Sequence, residues 1–85
     1  MLHTIKRVEH VEGYKLKLFF DEGKVKLVDF EERLRHAKNM FIPLKDIDYF
    51  REVESDGTTI VWPNGLDFCP DSLYEKGVDC VEKPR

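Results

Sequence analysis

The chain has 85 residues, with 14 Lys/Arg against 17 Asp/Glu for a net charge of -3, 41% hydrophobic and 36% charged. That length predicts one domain, burying about 60% of its unfolded surface, and excludes a second. The aromatic and apolar content argues against disorder. No run is apolar enough for a membrane span, and Met1 to Arg7 lead into no secretory core, so the expected compartment is the cytoplasm.

The first extended segment, His3 to Val11, places its apolar residues at Ile5, Val8 and Val11. An odd step from Ile5 to Val8 would put them on opposite faces of a regular strand, so a bulge or a strand buried on both sides is expected. Glu12-Gly13 reads as a turn, and from Tyr14 the alternation is clean. Tyr14, Leu16, Leu18 and Phe20 share the core face, and Lys15, Lys17 and Phe19 share the other. Asp21-Glu22-Gly23 is a three-residue hairpin loop with Gly at the left-handed position. The returning strand is expected to turn Val25 and Leu27 inward and Lys24 and Lys26 outward. On that reading Lys15, Lys17, Lys24 and Lys26 form a compact cationic patch, a candidate nucleic-acid-binding surface, although lysine is also common on exposed strands as protection against edge pairing.

Asp29-Phe30-Glu31-Glu32-Arg33-Leu34 predicts a helix with Asp29 as N-cap, acids in its first turn, and Phe30, Leu34 and Ala37 facing the sheet. Arg33, Arg35, His36 and Lys38 gather near its end, where they complement the helix dipole, and Asn39 is the expected stop. One helical turn is expected within Pro43 to Ile47, and the alternation from Tyr49 to Glu54 predicts a strand. Ser55-Asp56-Gly57 then closes a second hairpin onto Thr58 to Trp62. Pro63-Asn64-Gly65 is a tight turn, Leu66 to Phe68 a short strand, and Pro70-Asp71 the first turn of a second helix. Together these elements predict an α+β class: a small antiparallel β-sheet built from hairpins, with two short helices. A weak internal echo relates 14–38 to 49–77, each reading strand, turn with Gly, strand, Asp-Phe, helix.

Trp62, Asn64, Gly65, Asp67, Pro70, Leu73 and Tyr74 form the pattern W-x-N-G-x-D-x-x-P-x-x-L-Y. This pattern, with Pro43-Leu44 and Phe50-Arg51-Glu52-Val53 upstream, resembles a small bacterial family known as domain of unknown function 2442. The resemblance covers nearly the whole chain. It implies a small α+β domain of no established activity, in some members fused to a helix-turn-helix domain and often encoded beside small proteins of toxin-antitoxin type. It carries over no catalytic residue.

Charge is unevenly spread. Residues 1–40 hold nine Lys/Arg against seven Asp/Glu, and residues 41–85 hold five against ten. An acidic total disfavours a general nucleic-acid binder. Cys69 and Cys80 fit neither a C-x-x-C redox motif nor a zinc knuckle and are expected as reduced thiols, Cys69 partly buried beside Pro70. His3, His10 and His36 have no metal-ligand spacing, and the single glycines form no phosphate loop. No metal, cofactor or catalytic residue is therefore expected, and the chain is read as no enzyme. Asp67 and Asp71 are expected to accept backbone N–H groups at the turn and the helix entrance. The leading functional expectation is a noncatalytic protein-interaction module, the partner or antitoxin-like half of a bacterial two-gene system. Trp62, Asn64, Asp67 and Tyr74 are its candidate partner surface. The alternative is a nucleic-acid-associated regulator using the four lysines. A homodimer paired across a sheet edge also fits a domain of this size.

Overall fold

The computed structural model describes residues 3–36 and 38–79. Its main element is an antiparallel sheet of β1 (Ile5–Glu12), β2 (Lys15–Phe20), β3 (Val25–Asp29) and the short β6 (Val78–Asp79), in the order β1-β2-β3-β6. Between β3 and β6 the chain forms α1 (Glu31–Arg35), a 3-10 helix (Asn39–Lys45), α2 (Ile47–Phe50), the small hairpin β4 (Glu54–Ser55) and β5 (Ile60–Val61), and α3 (Pro70–Lys76). The α+β class and the hairpin-built antiparallel sheet are as the sequence predicts. Beyond the two expected helices there is α2.

The irregular first strand resolves as a bulge. Register shifts between Ile5 and Arg7, and again between His10 and Glu12, bring Ile5, Val8 and His10 opposite Phe20, Leu18 and Leu16. Cross-strand partners share a face, so one extra residue reconciles the odd step from Ile5 to Val8 with a single core side.

The return strand of the first hairpin corrects the expected facing. The register pairs Phe19 with Val25, Leu18 with Lys26, Lys17 with Leu27 and Leu16 with Val28. Lys26 and Val28 therefore lie on the core face, and Val25 and Leu27 on the opposite face with Lys15 and Lys17. The loop decides this. Phe20 N–H donates to the Lys24 carbonyl at 2.8 Å and Gly23 N–H to the Phe20 carbonyl at 2.9 Å, so a three-residue loop sets Lys24 across from the inward-facing Phe20. Every second residue after Lys24 must then face inward as well.

The Tyr49 to Glu54 alternation does not become one strand. Asp46 stands extended before α2, and its Oδ1 accepts the Asp48 N–H at 3.0 Å, an N-cap that commits the next four residues to helix. Phe50 ends the helix fully buried, its carbonyl accepting the Trp62 Nε1–H at 2.9 Å. Only Glu54 and Ser55 are extended. The N-cap of α1 is Phe30, not Asp29 as expected; Asp29 ends β3, one residue earlier, and its Oδ1 accepts the Glu31 N–H at 2.9 Å, while Phe30 and Leu34 are buried. Ala37 lies outside the described residues. Leu66 to Phe68 is reduced to a bridge between Val61 and Asp67.

One core joins these pieces on a single side of the sheet. Ile5, Leu16, Leu18, Phe20 and Val28 meet Phe30, Leu34, Leu44, Phe50, Ile60, Trp62 and Leu73. Phe30 stands with its ring centroid 5.2 Å from Phe68, 5.8 Å from Phe50 and 6.2 Å from Trp62. The Phe30–Phe68 contact joins the corresponding positions of the internal echo. At the end of α3, a Cβ on Gly77 would lie 2.9 Å from the Lys26 Cβ and 3.1 Å from Val28 Cγ2. Glycine there lets the helix end sit directly on β3.

Candidate functional site

The sheet has a second face, and the described helices do not cover it. Reading across β1, β2 and β3, its rows are Arg7, Phe19 and Val25; Glu9, Lys17 and Leu27; and Glu12, Lys15 and Asp29. Val78 of β6 continues the middle row beside Leu27. Charge collects on the β1 side. There an Arg7 guanidinium nitrogen meets a Glu9 carboxylate oxygen, Lys15 Nζ lies 3.7 Å from Glu12 Oε2, and the Arg7 guanidinium sits 3.9 Å from the Phe19 ring centroid. Apolar side chains collect toward β3 and β6. Phe19, Val25 and Leu27 stand apart from the packed core, and Val78 is 68% exposed. Sequence reasoning assigned Val25 and Leu27 to the core, although the loop length, counted back from Phe20, carries the signal for the opposite.

The four lysines proposed as one patch divide between the two faces. Lys15 and Lys17 are on the open face, whereas Lys26 sits on the core side with Nζ 4.3 Å from the Tyr74 ring centroid and Lys24 at the turn on that same side. The compact cationic patch is not formed.

The proposed partner residues Trp62, Asn64, Asp67 and Tyr74 do not form one surface either. Trp62 is 2% exposed and belongs to the core. Asn64 closes the turn, its Oδ1 accepting the Leu66 N–H at 3.1 Å. Tyr74 is half-buried at the far end of α3, where the His3 ring stacks on it at 3.7 Å and Phe20 meets it edge-on at 5.1 Å. His3 is fixed in turn by Glu22 Oε1, 2.9 Å from its Nδ1, and by Asp71 Oδ1, which accepts the His3 N–H at 3.0 Å. Asp71 therefore ties down the start of the chain instead of capping α3. Asp67 is exposed and does not cap α3 either; the N-cap is Cys69, with no side-chain bond. Cys69 is exposed and free, not partly buried as expected, and Cys80 lies outside the described residues.

Asp67 and Cys69 border a cavity of about 470 Å³ shared with Asp56, Thr58, Thr59, Phe68 and Pro70. Asp56 is held there by the backbone. The Thr59 and Thr58 N–H groups both donate to Asp56 Oδ1 at 2.9 Å and hold the carboxyl below its ordinary range. Those bonds build the β4–β5 turn and give the shift a structural cause. Among the described residues, no three His, Cys, Asp or Glu side chains are grouped to hold a metal ion, and no helix is long and apolar enough to cross a membrane.

The family model described as "Protein of unknown function (DUF2442)" matches residues 5–79, from the first core residue of β1 to the end of β6. The chain belongs to the DUF2442 family. No curated protein and no solved structure matches it. The fold explains most of the DUF2442 motif. Trp62 and Leu73 are core, Asn64 and Gly65 (φ 90°) shape the turn, Pro70 opens α3 buried, and Tyr74 anchors His3 and Lys26. Asp67 is exposed, as are Asn64 and Gly65 of the turn, and its backbone bridges to Val61.

Proposed function

We propose that this chain is a noncatalytic protein-interaction module of the cytoplasm, docking a dedicated small protein on the open face of its sheet. The observation that carries this reading is the apolar strip of Phe19, Val25, Leu27 and Val78, which lies outside the core on a face that none of the described helices covers. Phe19, Val25 and Leu27 are half-buried and Val78 is exposed, so the strip is accessible to a partner. Its border holds Arg7, Lys15 and Lys17 against Glu9, Glu12 and Asp29, a balanced rim suited to fixing the register of a partner more than to attracting a polyanion. The antitoxin-like role in a bacterial two-gene system rests on the family resemblance, which supplies the class of partner to test. The lysine-face regulator loses its geometry, because Lys26 is on the other side of the sheet.

The test is co-expression with any small protein that a neighbouring gene encodes, followed by size exclusion with light scattering. The reading expects a one-to-one complex that the double variant Phe19→Asp/Leu27→Asp abolishes, with the variant's circular dichroism unchanged. A complex that survives this variant, or a chain that remains alone with its neighbour, overturns it. A homodimer lost in the same variant would assign the face to a second copy instead.

A further inference from the structure

A second feature stands apart from the sheet face. From Arg33 to Lys45 the sequence holds Arg33, Arg35, Lys38 and Lys45, with His36, and no acid. The following residues 46–79 are strongly acidic, with nine Asp/Glu against Arg51 and Lys76. The fold gathers part of this basic segment around one opening. Arg33, at the end of α1, His36 just beyond it, and Lys38 and Phe41 at the start of the 3-10 helix line a pocket of about 420 Å³. That is within the range of small-ligand sites.

Three properties of the pocket point to one ligand chemistry. Arg33, His36 and Lys38 are exposed, and no carboxylate among the described residues pairs with their side chains, whereas Arg35 beside them is engaged by Glu31 at 3.5 Å. Arg33 is also oriented, its guanidinium lying 5.1 Å from the centroid of Phe68, which keeps a flat fork of donors at the rim. The pocket wall is aromatic. Phe41 lines it, half-buried, with the Phe68 ring centroid 5.7 Å from its own. An inorganic anion would satisfy the cations but leave this wall unused, and the carboxylates of an acidic peptide carry no ring of their own to stack on it. Phosphate oxygens beside a planar base use both halves of the site.

We infer that this pocket binds a nucleoside phosphate, with Arg33, His36 and Lys38 taking the phosphate and Phe41 stacking on the base. The ligand is either a free mononucleotide or one nucleotide of a single strand, since both present the same chemistry. The small basic pocket is independent of the sheet-face reading and can stand if that reading fails.

The experiment titrates the full chain, at about 20 mM salt to limit screening, with adenosine monophosphate, inorganic phosphate, adenosine, an oligoglutamate peptide and a short thymidine oligonucleotide. Binding is read from amide NMR shifts. Adenosine monophosphate is expected to move the Arg33, His36, Lys38 and Phe41 amides, and to bind about tenfold or more tighter than phosphate or adenosine alone. The variant Arg33→Gln/Lys38→Gln should lose this binding while its amide spectrum keeps the native dispersion, and Phe41→Leu should lower affinity for the nucleotide but not for phosphate. Much tighter binding of the oligonucleotide would assign the site to a strand, and equal binding to a free nucleotide. No shift with millimolar nucleotide, equal affinity for phosphate or oligoglutamate, or binding indifferent to Arg33→Gln/Lys38→Gln would overturn the inference.

Discussion

Replacing Leu18 or Leu27 with alanine removes the same atoms from adjacent strands, and the register assigns the two positions opposite faces. Leu18 is fully buried among the core side chains. Its truncation should cost about 2–5 kcal/mol, the lost transfer energy plus an unrelaxed cavity. Leu27 pairs with Lys17 and Val78 on the open face and lies outside the core. Its loss forfeits cross-strand contact of about 0.2–1 kcal/mol. A chain of this length has a total stability of about 4–13 kcal/mol, so the first change consumes a large share of it and the second a small one. With an urea slope of about 1 kcal/mol per molar, typical of a small domain, Leu18→Ala should lower the midpoint by about 2 M or more and Leu27→Ala by less than about 1 M. Urea titration followed by circular dichroism measures both. Equal shifts, or a larger one for Leu27→Ala, would mean that β3 turns Val25 and Leu27 inward, and the open-face surface would fall with that result.

Trp62→Phe leaves the Phe50 carbonyl buried without its donor, an expected loss of about 1–3 kcal/mol beyond the missing ring volume; a urea midpoint close to the parent's would show that the bond contributes little. Gly77→Ala pushes a methyl group into the Lys26 Cβ and Val28 Cγ2, so thermal unfolding should report a destabilisation of about 1–3 kcal/mol, and an unchanged or raised Tm would contradict the close packing of α3 on β3. Asp56 titrates below its ordinary value of 3.8 because the ionised form accepts the Thr59 and Thr58 N–H groups. Its contribution is therefore complete above the unfolded value and is lost as pH falls through the lower folded one. Asp56→Asn keeps an acceptor oxygen but no titration, so Tm should fall less steeply with acid below about pH 4 than in the parent, and parallel curves would refute the assignment.

Local chemistry was sufficient for several elements. The alternation from Tyr14 to Phe20 named the core face of β2, and the Pro70-Asp71 pair marked the start of α3. Gly23 at φ 96° and Gly65 at φ 90° occupy turns that their neighbours in sequence announced. These features depend on interactions within a few residues, and such interactions are present in the sequence as written.

Tertiary structure decided which side each element shows. Val25 and Leu27 are as apolar as Leu16 and Leu18, and composition alone sent them inward; the closing pair of Phe20 with Lys24 sent them out. The strand expected over Tyr49 to Glu54 was overridden by the Asp46 cap and by Trp62, whose indole N–H donates to the carbonyl of Phe50, twelve residues earlier. The Trp62 to Tyr74 motif looked like a surface because its residue types are those of interfaces. The fold instead buries Trp62, uses Asn64 in a turn, and sets Tyr74 against His3 and Lys26, both distant in sequence. The two candidate surfaces that remain, the open sheet face and the Arg33, His36 and Lys38 pocket, both depend on where the helices pack. A hairpin pattern shows that a sheet has two faces, but only long-range packing, through contacts far apart in sequence, determines which one the core covers.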